Sequence, residues 1–457
     1  MRCVFPLRRA TLPKLFVPTE SLVGVDSNNF CIPTAASRAL ARDVAPARRL
    51  PGLGTMDLKS GYPYWTVKNG LVANFPALQA DVRCDVVVVG AGITGALIAR
   101  SLAEAGLDVV VLEKRDAGWG STAASTALLQ YEIDTELKDL AHQYGEELAV
   151  GVYKACEQAV RDLGPVAREV RGSAYTRMQS LYYASRPWHA GRVRAEGELR
   201  RRHGFDLEIL EREALQERFG ISAQAALLTK VAAQVDPYRT AMGTLQNLVK
   251  NGARVFDRTA VEGWEPTSNG LLVTTDRGAR VRCRHLVLAA GYESQTFLRQ
   301  RVASNRSSYA TVSEPLVQGL GWLERVLVWE SARPYLYLRT TADGRLLMGG
   351  EDDRVDVPAR RDRAVLKKSK RILKKVRGLL PDIEIEEGFA WAGTFAETAD
   401  GLPFFGPHPE QGPRVHFAMA YGGNGIAYSM IGAELIRRRI LRQSHPLMRF
   451  LSFERLV

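Results

Sequence analysis

Residues 84–113, CDVVVVGAGITGALIARSLAEAGLDVVVLE, constrain this chain more than any other stretch. Four consecutive valines at 86–89 are too few for a helix and are typical of a strand buried on both faces. The glycine-rich turn GAGITG (90–95) follows, then apolar residues at helical spacing, and then a second apolar run at 108–112. The stretch therefore predicts a parallel β-α-β unit.

The turn has the spacing of a dinucleotide-binding site. Gly90 permits a tight turn, Gly92 lets the backbone approach a pyrophosphate, and Gly95 lets the helix pack against the strand. The N-terminus of that helix offers free N–H groups to phosphates. Glu113, 18 residues past Gly95, is placed to accept hydrogen bonds from ribose hydroxyls. We therefore predict a dinucleotide site here rather than a strand-turn-helix without a ligand.

Composition narrows the class of protein. With 457 residues, 46% of them hydrophobic and 25% charged, the chain can bury a large core and form two domains. No apolar run approaches the roughly 18 residues of a membrane span. The five cysteines form no C-x-x-C pair, which suits a reducing compartment and argues against structural zinc. We predict a cytoplasmic protein with no metal site.

The net charge of +12 raises the question of nucleic-acid binding. Part of it comes from residues 1–55, which hold eight Lys or Arg against three acids. The other basic clusters, 200–202 and 367–375, lie in predicted helices, where solvated faces are the simpler explanation. No nucleic-acid partner is expected.

Residues 1–55 are basic and proline-rich and lack the apolar core of a secretory signal. We predict a disordered extension, with Met56 a plausible start and a transit peptide as the alternative. Residues 56–80 are predicted to form an N-terminal arm over the nucleotide-binding domain.

The remaining pattern interleaves two sheet systems, so each predicted domain is discontinuous. Helical patterns cover 134–170, 196–219, 240–252 and 362–380, and strand patterns cover 173–184, 325–329, 335–340, 345–349 and 415–420. The predicted fold class is α/β (α+β overall), with a Rossmann-like domain interleaved with a mixed, largely antiparallel sheet. The predicted nucleotide-binding domain comprises 81–170, 225–295 and 391–445, and the predicted substrate domain comprises 171–224 and 296–390.

Two further segments bear on the cofactor. Ser121, Thr122 and Thr126 open a helix after the loop 118–120, where hydroxyl groups cap a helix or bind a phosphate, and the two roles are compatible. A second strand-glycine-helix turn, GGNGI (422–426), lies more than 300 residues after the first. A flavin, with pyrophosphate at one end and a ring system at the other, has use for both helix N-termini.

Six motifs, which follow one another in order along about residues 80–445, resemble those of the D-amino-acid oxidase/glycine oxidase (DAO) family of flavoproteins. They are the 90–113 fingerprint, the 118–121 loop, DPYR (236–239), LVLAAG (286–291), DGLPFFGP (400–407) and GGNGI. The resemblance implies non-covalent FAD, a Rossmann-like flavin domain, and a substrate sheet over one face of the flavin. It also implies hydride removal from a carbon that bears an amine, giving an imine, with reoxidation by dioxygen or a quinone.

The resemblance also implies site residues. The cofactor-binding residues would be Gly90, Gly92, Ile93, Thr94, Gly95, Glu113, Lys114, Ser121, Thr122, Thr126, Val261, Ala290, Gly291, Gly423, Asn424, Gly425 and Ile426. Arg339 would hold a substrate carboxylate, and Tyr337, with Tyr182 and Tyr183, would line the pocket. His416 is expected to be a core histidine.

The predicted activity is FAD-dependent oxidation of an amine or amino acid, a small-molecule substrate. Two alternatives stay open: a non-catalytic FAD-binding assembly or interaction protein, and a tRNA-modifying amine oxidase. The sequence specifies neither the substrate nor the oligomeric state.

Overall fold

The computed structural model describes residues 57–317, 320–354 and 356–456. All of the described residues belong to one compact unit. The predicted disordered extension, 1–55, lies outside the described residues.

Strands account for three sheets in the described part of the chain. In chain order they are β1 (Lys59–Gly61), β2 (Val82–Arg83), β3 (Val86–Val89), β4 (Val109–Leu112), β5 (Leu128–Gln130), β6 (Thr176–Tyr183), β7 (Leu207–Glu211), β8 (Ala225–Gln234), β9 (Arg254–Phe256), β10 (Val261–Pro266), β11 (Leu271–Thr275), β12 (Arg280–Cys283), β13 (His285–Leu288), β14 (Ser304–Ser313), β15 (Val326–Glu330), β16 (Leu336–Thr340), β17 (Leu346–Asp353), β18 (Glu387–Glu397), β19 (Phe404–Pro407) and β20 (Val415–Met419).

Helices cover the sheets and connect them. They are α1 (Tyr64–Asn69), α2 (Ile93–Glu104), α3 (Ser121–Ala124), α4 (Leu137–Tyr144), α5 (Glu146–Arg168), α6 (Ala190–Arg202), α7 (Arg212–Phe219), α8 (Pro237–Lys250), α9 (Pro358–Leu379) and α10 (Gly425–Ile440). None of the described helices is both long and apolar enough to cross a membrane.

The first sheet has the order β19-β20-β13-β3-β4-β9 and is parallel except for β19. Val86, Val87 and Val88 in β3 have no exposed surface, because strands pair on both sides of β3, helices cover one face of the sheet and the strands β10–β12 pack on the other. Burial of one such side chain contributes about 1.5–3 kcal/mol. The predicted β-α-β unit, β3-α2-β4, is therefore present, and β3 is a central strand of the sheet.

The largest sheet has the order β1-β18-β14-β17-β16-β15-β6-β8-β5, and β7 also pairs with β8. Its strands pair antiparallel except for β15 with β6, so the prediction of a mixed, largely antiparallel sheet is confirmed. A small third sheet, β10-β11-β12-β2, lies beside the first.

Several strands of the large sheet were not predicted, among them β5, β7, β8 and β14. β14 pairs with β17 and β18 in the middle of the large sheet, and β7 interrupts the segment 196–219 that was predicted as helix. The arm differs as well, because β1 pairs with β18 and extends the large sheet. The strands of the parallel sheet all fall within the predicted nucleotide-binding segments, while the domain division itself stays a prediction.

Candidate functional site

A cavity of about 930 Å³ lies between the carboxyl ends of the parallel strands and the large sheet. The predicted cofactor residues line it, all but Gly95: Gly90, Gly92, Ile93, Thr94, Glu113, Lys114, Ser121, Thr122, Thr126, Val261, Ala290, Gly291, Gly423, Asn424, Gly425 and Ile426. Residues far apart in sequence are thus brought to one site. Their contacts with a cofactor stay a prediction.

The first glycine turn leaves no room for side chains. Gly90 has a φ of +107°, and a Cβ there would lie 2.3 Å from the carbonyl oxygen of Ala289. A Cβ at Gly95 would lie 1.8 Å from the Gly90 oxygen. Gly95 therefore brings α2 against the turn without itself lining the cavity, and α2 presents its N-terminus to the cavity.

Glu113 connects the second parallel strand to this turn. Its carboxylate accepts hydrogen bonds from the backbone N–H groups of Ala91 and Arg115, each at 2.9 Å. Burial raises the pKa of Glu113, while the two N–H donors oppose that shift. The carboxylate holds the turn and also forms part of the cavity wall.

Lys114 and Arg115 are both paired with Glu293, at 2.7 Å and 3.0 Å. Burial opposes ionisation of Glu293, but the bonds from Arg115 and Lys114 keep its pKa below the usual value. Glu293 was not predicted, because its segment carries no motif that distinguishes it from a surface acid. The two cations at this end of the cavity therefore share the carboxylate of Glu293.

The hydroxyl residues after the loop lie where either of the two roles considered above is possible. Thr122 Oγ1 accepts a hydrogen bond from the backbone N–H of Ile93, in the first turn of α2, at 2.9 Å. Ser121 Oγ is buried without a hydrogen-bond partner among the described residues. A buried hydroxyl beside a helix N-terminus fits a phosphate of FAD, since it offers a donor that the protein leaves unused.

The second glycine turn opens α10 in the wall of the same cavity. The N–H of Gly423 donates to Asp134 Oδ2 at 2.7 Å, and Asn424 Nδ2 donates to two carbonyl groups of the segment 130–132. Thr94 Oγ1 lies 2.7 Å from Ser429 Oγ, so the first turns of α2 and α10 meet. The two helix N-termini therefore serve one cavity, as a cofactor of the length of FAD requires.

Aromatic and acidic side chains form the wall next to this second turn. Tyr335, Tyr337 and Trp329 line the cavity, and Tyr337 lies across Gly349, where a Cβ would be 2.2 Å from its hydroxyl oxygen. Tyr182 stacks on Trp329 at 4.0 Å between ring centroids, behind the wall. Tyr182 and Tyr183 do not themselves line the cavity.

Arg339 does not reach the cavity, and the structure does not support its predicted role as the carboxylate ligand. Its guanidinium is buried and donates to the carbonyl groups of Thr126 (2.7 Å) and Val235 (2.9 Å) and to Gln234 Oε1 (3.3 Å). Trp65 of the arm covers it, with the guanidinium carbon 5.0 Å from the ring centroid. The Arg339 side chain therefore connects β16 to Thr126 and to the segment 234–235, a structural role.

Two acidic residues of the cavity wall were not predicted from the sequence. Asp134 is held by Gly423 and pairs with Arg333 at 3.5 Å. Asp352 lines the cavity from β17, and the only sequence signal for it is the pair Gly349-Gly350, which interrupts an apolar strand just before it.

The comparisons with known proteins agree with this geometry. The profile of the DAO family, described as FAD dependent oxidoreductase, matches residues 85–439. The chain is 26% identical to gamma-glutamylputrescine oxidoreductase of Escherichia coli K12, over 82% of this chain and 87% of that protein. It is 24% identical to glycine oxidase of Bacillus licheniformis, over 79% and 93%.

Solved structures share the fold. The crystal structure of glycine oxidase from Geobacillus kaustophilus superposes with a TM-score of 0.67 at 21% identity, over 81% of this chain and 98% of that one. L-α-glycerophosphate oxidase from Mycoplasma pneumoniae, solved with FAD bound, has a TM-score of 0.65 at 15% identity, over 80% and 97%.

Proposed function

The chain belongs to the DAO family of FAD-dependent oxidoreductases, and from that premise we propose that it oxidises the C–N bond of an amine or amino acid to an imine. FAD, when bound, supplies the acceptor for the hydride that leaves the carbon next to nitrogen. The protein's part is to bind and orient both molecules and to exclude water.

The proposal depends mainly on one observation. Both glycine turns open into a single cavity, and the side chains next to the second turn form a wall that is separate from the two turns. The turn at Gly90 and Gly92, with Ser121, would hold the pyrophosphate, and Glu113 the adenosine ribose. The N-terminus of α10, at Gly425, would face the carbonyl side of the flavin ring, where its dipole favours negative charge. Substrate would then lie between the ring and the side chains of β16 and β17.

Two of the similar proteins are named for nitrogen compounds, glycine and gamma-glutamylputrescine, and one for glycerophosphate. A phosphate-bearing substrate needs cations beside the ring. The cavity wall near the second turn carries Asp134 and Asp352 instead, and Lys114 lies at the other end, paired with Glu293. This distribution of charge favours a substrate with a basic nitrogen.

The test is a spectrum followed by an anaerobic titration. The purified protein should show flavin absorbance, released by denaturation as FAD. Addition of a panel of amines and amino acids without oxygen should bleach the flavin for at least one compound. Readmitting air or adding a quinone analogue then identifies the acceptor, which we expect to be dioxygen or a quinone.

Failure of every compound to reduce bound FAD, while dithionite does reduce it, would contradict the proposal. A protein that held FAD in that way would fit a non-catalytic interaction role. Salt-sensitive binding of RNA would instead favour oxidation of an amine carried on tRNA.

A further inference from the structure

Asp352 reaches the cavity because β17 is irregular just before it. The pairing of β17 with β14 shifts register between Ser307 and Tyr309. On the β17 side Gly350 has a φ of +137° and Glu351 a φ of +57°, which a residue with a side chain rarely adopts. Bulges of this kind re-aim a side chain next to a functional site. Here the redirected side chain is a carboxylate.

The carboxylate of Asp352 has no counter-ion. Its Oδ1 atom is buried without a hydrogen-bond partner, and Asp352 forms no ion pair within the described part of the chain. The neighbouring acids are compensated: Asp134 pairs with Arg333 at 3.5 Å, and Glu397 pairs with Arg306. One negative charge is left over at this end of the cavity.

The pKa of Asp352 agrees with the presence of one uncompensated negative charge. Burial raises the pKa of Asp352 to about 6, the charges of Asp134 and Glu397 add to the shift, and a contact with Ser308 and the more distant charge of Arg333 oppose it. At pH 8 the group is therefore an ionised carboxylate in a poorly solvated position. An uncompensated buried charge is costly unless a ligand supplies its partner.

We propose that Asp352 binds a positively charged amino group of the substrate, and that the substrate is an amine with no carboxylate at that end. Tyr335 and Tyr337, whose ring centroids lie 5.8 Å apart, would face the same cation, which aromatic rings attract. The inference rests on the proposed function and narrows its substrate class. A substrate without a carboxylate needs no arginine in the cavity. The proposal is therefore consistent with the position of Arg339, which is buried behind the cavity wall.

Two small probes of equal chain length and opposite charge test the proposal directly. n-Butylammonium and butyrate are titrated into the anaerobic FAD-loaded protein at pH 8, and binding is measured from the perturbation of the flavin spectrum. Butylammonium should bind at least about tenfold more tightly than butyrate, as expected for a charge-assisted contact. Tighter binding of butyrate would overturn the proposal without any variant.

Asp352→Asn keeps the shape of the side chain and removes its charge. The variant should bind butylammonium about tenfold or more weakly and butyrate no more weakly than the wild type. The matched control is Asp353→Asn on the same strand, since Asp353 pairs with Lys368 at 2.8 Å outside the cavity wall. Control affinities should equal those of the wild type. An unchanged butylammonium affinity in an FAD-loaded Asp352→Asn protein would overturn the proposal.

The outcome separates this inference from the proposed function. If butylammonium binds through Asp352 yet no amine bleaches the flavin, oxidation of C–N bonds is wrong and the cation site stands. If amino acids bleach the flavin equally in the wild type and in Asp352→Asn, the oxidation stands and the cation site is wrong.

Discussion

Tyr337 and Arg339 lie two residues apart on β16, so their side chains leave the same face of the sheet. Tyr337 lines the cavity, whereas Arg339 lies beyond its end, beneath Trp65. The alternation of the strand therefore puts both side chains on the face of the sheet that borders the cavity. Where the cavity ends depends on the arm. The arm packs on β16 through a non-local contact, so no sequence pattern near Arg339 predicts it.

Arg339→Met should destabilise the fold. The substitution removes the donors to the carbonyl groups of Thr126 and Val235 and leaves those acceptors buried without partners, at a cost of roughly 2–3 kcal/mol. Urea unfolding measures the change. Arg325→Met, at an exposed position before β15, is the control and should stay within about 0.5 kcal/mol of the wild type. Wild-type stability together with a raised KM would restore the carboxylate role.

Sequence patterns identified the buried parallel strands but not β14. Two of those strands, at 86–89 and 109–112, are runs of mostly valine that can be recognised without knowing their neighbours. β14, SNRSSYATVS, is rich in hydroxyl side chains. It is a strand because β17 and β18 pair with it on both sides, and that pairing is non-local. The bulge at Glu351 depends on the same pairing, so Asp352 could not be placed in advance.

Two neighbouring strands of the parallel sheet carry a buried histidine pair. His416 in β20, the expected core histidine, lies with its Nε2 atom 3.2 Å from Nδ1 of His285 in β13. Burial lowers the pKa of His416 to about 3 and that of His285 to about 4, and nearby positive charges act in the same direction. Both rings are therefore neutral in the folded protein at neutral pH.

Stability should fall as pH drops below about 6.5, where unfolded histidine takes up a proton that the folded protein does not. The loss at pH 5 is about 2 kcal/mol per histidine and grows until pH approaches the folded-state pKa values. His416→Leu should reduce the difference in unfolding free energy between pH 7 and pH 5 by about that amount. His142→Leu, at an exposed position, should leave the difference unchanged, and equal slopes in both variants would contradict the assignment.

The cavity lies between the parallel sheet and the large, mostly antiparallel one. Its walls include residues 89–94 from the first glycine turn, 335–337 and 391–395 from the large sheet, and 420–427 from the second turn. A ligand in the cavity therefore contacts both sheets at once. Binding to the folded state alone raises stability by mass action.

FAD should accordingly raise the melting temperature of the apoprotein in a concentration-dependent way, since about 100 times Kd contributes ~2.7 kcal/mol. Thermal melts monitored by circular dichroism measure the shift, which should be several degrees. Glu113→Ala should lose most of it, because the carboxylate holds the first glycine turn. Asp108→Asn, at the exposed start of the strand that leads to Glu113, should keep it. A full shift in Glu113→Ala would remove Glu113 from the cofactor site.

The separation of the two glycine turns also has a consequence for biosynthesis. A ribosome adds ~5–20 residues per second, so on the order of tens of seconds pass between synthesis of Gly92 and synthesis of Gly425. β20, which leads to the second turn, pairs with β13 in the middle of the parallel sheet, and until it arrives one side of β13 has no neighbour. Until β20 is made, the nascent chain has an open sheet edge, which is prone to aggregation, and a cofactor site that needs both turns is incomplete.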